Sequence, residues 1–366
     1  MFKNGNRAAL AIMVAGALGG VQSIDVALAD DSTDLVAKPI PVMVPDANDI
    51  KKTTNSTWTP PDKSDKSIYV CVSFPTMQDP YWVAINYGVI AEARRLGISL
   101  DILNAGSYNN LSTQINQIND CAVKGADAIM IAPISVDGVA QTISSLKASG
   151  IPVINFVPRI PSDDGLAGRS TIDYYQVGLA SAGYLKESVG DAAVKVALFP
   201  GPPGADWTTR TTQGFLDGIA GTNITMVTNK FGDTDKNTQY NLVADTLSAT
   251  PDLDWVVGNA VAADAAIGAI KAAGLEGKVK IGSLYQTEPV RTGLRDGSIE
   301  WSLSDNAIWQ GSIAVDMAVL VTQGKLPVGT EVWPIPQKLT RENADSSIAE
   351  AGFAPDGFKP VFSVSP

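Results

Sequence analysis

Ser67-Ile68-Tyr69-Val70-Cys71-Val72-Ser73-Phe74, closed by Asp79-Pro80-Tyr81-Trp82, is the stretch whose reading decides the fold. Its first eight residues are apolar, aromatic or β-branched with little alternation, as in a strand buried on both faces of a parallel sheet. The spacing predicts a helix from Tyr81 to about Arg95 that turns Val83, Ile85, Val89 and Ala93 toward that sheet. Between them, the tetrapeptide sets a carboxylate and two large rings at the carboxyl end of a strand. That is where open α/β sheets bind ligands. An aromatic pair taken alone reads first as core packing; this position favours a ligand-facing role.

Working outward, short apolar strands alternate with helices, the pattern of βαβ units and a parallel sheet. Strands are predicted at Ser99–Asn104, Ala128–Ala132 and Pro152–Phe156, with helices at Asn110–Lys124 and Val136–Ala148 between them. A second run has strands at Val194–Pro200, Ile224–Thr228, Trp255–Gly258, Val279–Gly282 and Ile299–Leu303. Its helices lie near Gln176–Val189, Thr208–Ala220, Thr238–Ala249, Ala262–Ala273 and Glu288–Asp296, and a last one spans Trp309–Gly324. The fold class is therefore α/β, with two Rossmann-like parallel-sheet domains in a chain of this length.

Residues 1–29 read as an export signal. Lys3 and Arg7 precede the apolar run Ala8–Leu18, which is too short to span a bilayer, and Ala27-Leu28-Ala29 offers a cleavage pattern near Ala29. A periplasmic location follows as an expectation. Removing that segment takes the formal charge from −11 to about −12. An acidic surface disfavours nucleic acid and anionic membranes as partners. The chain contains no histidine, which removes the commonest general base and every His-containing zinc site. No catalytic residue, metal site or cofactor is expected. Cys71 and Cys121 invite a disulfide in an oxidising compartment, the alternative being two buried thiols. Residues 30–66, rich in Pro, Asp, Lys and Thr, read as an extended N-terminal arm that Trp58 could dock on the body.

The loops that follow successive strands share a composition. They supply Asp79, Tyr81 and Trp82, then Tyr108, Asp173 with Tyr174, Trp207, Tyr285 and Asp305. Tyr and Trp faces suit a small cationic or methylated head group, with carboxylates to complement its charge. These nine residues form the expected ligand-binding set.

From Ser67 onward the chain resembles the type I, ribose-binding-like class of periplasmic binding proteins, whose first loop carries a polar-Pro-aromatic-aromatic motif like Asp79-Pro80-Tyr81-Trp82. The resemblance implies two domains on a three-crossover hinge, residues 67–169 plus 304–333 and residues 170–303 plus 334–366. Sugar-binding members carry an Asp-Arg pair where Val157-Pro158 stands, an Arg near Thr209 and an Asp near Leu284. A sugar therefore fits poorly here, since its buried hydroxyls need partners. Within the class, the chain resembles a TorT-like family that senses trimethylamine N-oxide. The motifs are Asn86-Tyr87-Gly88, Ala105-Gly106-Ser107-Tyr108, Ile118-Asn119-Asp120-Cys121, Ala262-Ala263-Asp264-Ala265-Ala266, Trp309-Gln310-Gly311 and Gly357-Phe358-Lys359-Pro360-Val361. What this implies is a receptor whose aromatic box surrounds a methylated amine, and whose partner is the periplasmic sensor domain of a membrane histidine kinase in a two-component system. Members of that family carry Trp where Tyr174 stands.

Two rival readings differ in class. An enzyme would draw on Asp173, Asp206, Asp305 or Lys230, but no nucleophile or metal motif surrounds them. The Gly/Pro loop 200–204 lacks the Gly-Lys-Ser/Thr ending of a phosphate loop. A substrate-binding protein of an ABC transporter would share the fold and differ in partner.

Overall fold

The computed structural model describes residues 35–366 apart from 47–48, 51, 162–164 and 328; the expected signal segment lies outside the described residues. Two sheets organise the chain. The first holds β1 (Ile40–Pro45), β2 (Thr53–Trp58), β3 (Tyr69–Phe74), β4 (Ser99–Asn104), β5 (Ala128–Ile131), β6 (Val153–Phe156), β7 (Leu166–Ser170), β13 (Thr330–Pro334) and β15 (Ser363–Val364). Its order is β15-β4-β3-β5-β6-β7-β13-β1-β2. The second holds β8 (Val194–Phe199), β9 (Ile224–Asn229), β10 (Trp255–Gly258), β11 (Lys280–Ser283), β12 (Trp301–Ser304) and β14 (Gln337–Leu339), in the order β14-β12-β11-β10-β8-β9.

Both sheets repeat one winding. Each has a first strand (β3 or β8) flanked by its second strand on one side and its third on the other. The connections leaving the first and third strands then diverge to opposite faces, which opens a crevice at the carboxyl ends. The strands earn their central places by composition: β5 and β6 (AIMI, VINF) are buried at every residue, as parallel strands covered on both faces must be. The helices are α1 (Pro80–Leu96), α2 (Leu111–Val123), α3 (Val136–Ala148), α4 (Tyr174–Val189), α5 (Asp206–Ile219), α6 (Lys236–Ala249), α7 (Ala260–Ala272), α8 (Glu288–Asp296), α9 (Ala307–Thr322) and the short α10 (Ser347–Glu350).

One close helix crossing, α1 on α9, positions two elements that reach the crevice. At Gly88 on α1 a Cβ would stand 2.2 Å from the Ile308 carbonyl oxygen, and at Gly311 on α9 one would stand 2.6 Å from the Ile85 carbonyl oxygen. Only glycine lets these backbones touch, so α1 and α9 are held at fixed distance, with their first turns at the crevice. Cys71 on β3 and Cys121 on α2 are joined as a disulfide across a Cα–Cα distance of 6.0 Å, tying the first strand to a helix packed on its sheet.

Three differences from the sequence reading have physical causes. The arm is not a loose leader: residues 40–58 form the β1–β2 hairpin, and β1 pairs antiparallel with β13, extending the first sheet. Its partner strand lies nearly the whole chain away, and β2 (TTNSTW) is exposed along most of its length, so no apolar alternation announces it. The tail does not belong wholly with the second sheet. β14 pairs with β12 there, but β15 pairs with β4 of the first sheet. Third, β7 (LAGRS) is too short and too polar to read as a strand, yet four of its five residues are buried.

Trp58 docks the hairpin onto α9, its indole N–H donating to Asp316 Oδ2 at 2.8 Å. Asp316 is fully buried and its Oδ1 has no hydrogen-bond partner among the described residues. Trp58→Phe keeps the ring and deletes the donor, so it should destabilise the fold by about 1–2 kcal/mol. Urea denaturation of the two chains measures this; an unchanged midpoint would mean that the hairpin contributes no stability through this bond.

Candidate ligand-binding site

Asp79 ends the loop after β3 and begins α1. Its Oδ1 accepts from the Tyr81 amide at 2.9 Å, a cap on the helix start, and Pro80 at the first helical position needs no partner for a missing N–H. The cap fixes the direction in which Tyr81 and Trp82 leave the helix. The other carboxylate oxygen, Oδ2, accepts from the Tyr285 hydroxyl, which comes from the loop after β11 in the second sheet. A single carboxylate therefore ties the two halves of the crevice together.

Around this bond Asp79, Tyr81, Trp82, Tyr108, Pro158, Tyr174, Trp207, Tyr285 and Asp305 line one cavity of about 20 Å³, room for about one water molecule. That is far below the volume of a filled ligand site, so the rings meet across the crevice and a small ligand would enter only as they part. A larger open groove of about 560 Å³, lined by Lys66, Asp127, Lys147, Ile151 and Leu166 among others, lies at the opposite ends of the first sheet's strands. It lacks convergent buried polar groups, so the site is assigned to the aromatic cavity.

Trp207, on the first turn of α5, is the hub. Its ring lies 5.8 Å from Tyr174, 6.3 Å from Tyr285 and 6.4 Å from Tyr108, centroid to centroid. Tyr81 packs 5.1 Å from Trp82 and 5.3 Å from Tyr285, and Trp82 meets Phe74 edge-on at 5.8 Å. The Gly/Pro loop serves this hub: a Cβ on Gly201, at φ +135°, would stand 2.4 Å from the Trp207 ring. A second polar contact closes the crevice outside the rings, where Ser107 Oγ donates to Asp233 Oδ2 at 2.7 Å.

Among the described residues, no lysine or arginine lines the cavity. Burial pushes the Asp79 carboxyl up to about 6, against the pull of its bonds from Tyr285 and the Tyr81 amide, with the charge of Asp233 adding to the rise. Burial likewise holds Asp305 well above the usual carboxylate range, and the charge of Asp79 reinforces it. The hydroxyls of Tyr81, Tyr108, Tyr174 and Tyr285 are all pushed up by burial, then by neighbouring charged and phenolic groups, so they stay protonated.

The structure thus brings together Asp79, Tyr81, Trp82, Tyr108, Tyr174, Trp207, Tyr285 and Asp305. It does not bring Asp173 into the cavity. Asp173 Oδ1 caps the Tyr175 amide at 3.0 Å and pairs with Arg210 Nη2 at 3.0 Å, which turns the carboxylate away from the rings. Pro158 is an addition; it follows a cis Val157-Pro158 bond after β6, and sequence reading marked the position only as one lacking a sugar contact. Gln310 is a second addition, bridging the site from behind as it accepts from the Tyr81 hydroxyl at 3.2 Å and donates to the Asp305 carbonyl. Its signal was the Trp309-Gln310-Gly311 motif.

Residues 69–326 match the periplasmic binding protein domain family. The chain is 33% identical over 304 residues to the periplasmic protein TorT of Escherichia coli (strain K12), covering 82% of this chain and 86% of TorT. Among solved structures it is similar to an ABC transporter solute-binding protein from Bradyrhizobium sp. BTAi1 with bound bis-tris. That likeness has 38% identity and a TM-score of 0.76 over 89% of this chain and 98% of the other. It is similar as well to a chain of the TorS sensor domain–TorT complex, solved in the absence of ligand and in the presence of TMAO. There the identity is 28% and the TM-score 0.73, over 81% of this chain and 99% of that one.

Proposed function

The chain belongs to the type I periplasmic binding protein family, alongside TorT, and from that premise we propose that it is a periplasmic receptor for a small methylated amine of the trimethylamine N-oxide class. The observation that carries this is the cavity itself, six aromatic rings and two carboxyl groups with no cationic side chain. Ring faces attract a methylated ammonium without needing hydrogen bonds from it. A sugar would leave most of its hydroxyls unpaired against such walls.

Ligand bridging the β3 and β11 loops would favour the closed arrangement through its higher affinity for that state. The closed receptor would then signal through the sensor domain of a TorS-like histidine kinase rather than turn over its ligand. The TorS–TorT complexes support this partner. The domain division expected from the resemblance is retained as part of the proposal, amended by the placement of β15.

Calorimetric titration with trimethylamine N-oxide, trimethylamine, betaine and ribose tests the ligand class. Binding of the methylated amines with no ribose response is expected; micromolar ribose binding without an amine response would sink the reading. The Bradyrhizobium likeness favours a second reading, delivery of the same ligand to an ABC transporter. Co-elution of the ligand-loaded protein with a TorS-like sensor domain, and failure to stimulate a transporter ATPase, separates the two.

A further inference from the structure

The ring cage accounts for a methylated cation but leaves one polar group of the cavity unexplained. Asp305 is 1% exposed, and its Oδ1 is buried without a hydrogen-bond partner among the described residues. Its backbone is fixed on both sides. The Asp305 carbonyl accepts from Gln310, and Asn306 is held at φ +54° with its amide donating to the Ile335 carbonyl at 2.8 Å. The carboxyl therefore stays in the cavity wall, and a bare carboxylate oxygen there is among the costliest arrangements in a protein interior.

A proton on that carboxyl, together with an acceptor on the ligand, satisfies it. The titratable groups that face Asp305 are Asp79 and the hydroxyls of Tyr81, Tyr174 and Tyr285, and no cation is among them. Asp79 is served by two donors, the Tyr285 hydroxyl and the Tyr81 amide, whereas Asp305 has no side-chain donor. Two carboxyl groups in one cavity, pushed to different protonation states, take different roles. The one served by two donors is the charge, and the one without a side-chain donor keeps its proton as an O–H donor.

Resting on the methylated-amine reading, we propose that Asp305 recognises the oxygen of an amine N-oxide, binding as the neutral acid and donating an O–H···O hydrogen bond while Asp79 complements the ammonium charge. A ligand with N–O polarity meets a donor and an anion in one cage. The parent amine and a quaternary ammonium offer no acceptor, so Asp305 is a specificity determinant rather than a general anchor.

The test titrates the purified protein, Asp305→Asn and Asp305→Leu with trimethylamine N-oxide and with tetramethylammonium. The asparagine keeps an N–H donor and cannot ionise; the leucine has neither property. Asp305→Asn should bind the N-oxide within about fivefold of the parent, Asp305→Leu should lose roughly 30-fold, and tetramethylammonium should change by less than about threefold in both. The parent's affinity for the N-oxide should rise with pH through about 6 as Asp79 ionises and fall at higher pH as Asp305 does; Asp305→Asn should lack that later fall. Should the leucine chain not fold, that pH comparison decides the matter. Equal losses in both variants, or a parallel loss of tetramethylammonium, overturn the proposal and make Asp305 an anionic partner. Tetramethylammonium binding without N-oxide binding overturns the donor role alone, while failure of both ligands on the parent protein overturns the cage reading as well.

Discussion

Trp207→Ala is expected to lower affinity for a methylated amine by at least about 100-fold. The indole is the one ring that touches Tyr108, Tyr174 and Tyr285, so its loss removes a wall and also frees three neighbours to move. A desolvated cation–π contact contributes about 2 kcal/mol, and Trp is the strongest such partner. Loss of cage packing adds to this. The fold itself should weaken by about 3 kcal/mol, the lower end for a buried Trp→Ala change. Trp207→Phe separates the two effects, since it keeps a face and most of the packing and should lose only several-fold in affinity. Calorimetry with a thermal melt for each variant measures both quantities. Full affinity in the alanine variant would show that the ligand sits elsewhere.

Asp79→Asn is expected to act in opposite directions on binding and stability. Burial raises the folded-state carboxyl to about 6, above its ordinary value of 3.8. The folded state therefore holds this proton more tightly than the unfolded chain does. Stability is greatest while Asp79 is protonated, falls as pH rises between those two values, and is lower by about 3 kcal/mol above them. Asparagine can still cap the Tyr81 amide without carrying a buried charge. The variant should melt higher than the parent at pH 8, with the gap closing toward pH 4, and should bind a methylated cation about 30-fold more weakly. Parallel melting curves at both pH values, with unchanged affinity, would falsify the assignment of Asp79 as the buried anion of the site.

Asp79-Pro80-Tyr81-Trp82 and Asp173-Tyr174-Tyr175 show how far the site could be read in the sequence. Both are carboxylate-aromatic segments at the start of a helix, and both carboxylates cap the amide two residues on. Sequence patterning sees that shared local geometry and cannot see what else each carboxylate meets. For Asp79 it meets Tyr285, some 200 residues away and inside the cavity; for Asp173, Oδ1 also meets Arg210, on the next helix and outside it. The strands that head the βαβ units were legible because burial on both faces forces continuous apolar runs. The β1–β2 hairpin was not, because what holds it lies far away in sequence, the β13 edge and the Asp316 carboxylate that takes Trp58. The cavity wall at Pro158 depends on backbone shape rather than on a polar side chain, so residue chemistry gave no sign of it.

The course of the tail has a mechanical consequence. The chain passes between the two sheets after β7, after β12 and between β13 and β14, and each passage is short. It then crosses once more, from β14 on β12 to β15 on β4, by way of α10 and a long run without strands. On the proposed hinge, the short passages define the axis about which the halves would swing. The long one is pinned along its way, where the Ile308 amide donates to the Ala351 carbonyl and Val361 exchanges two hydrogen bonds with the Asn86 side chain on α1. The span that would limit how far the crevice gapes is therefore the stretch from β14 to Ala351, tied at α9 beside the site and not at the two residues of β15.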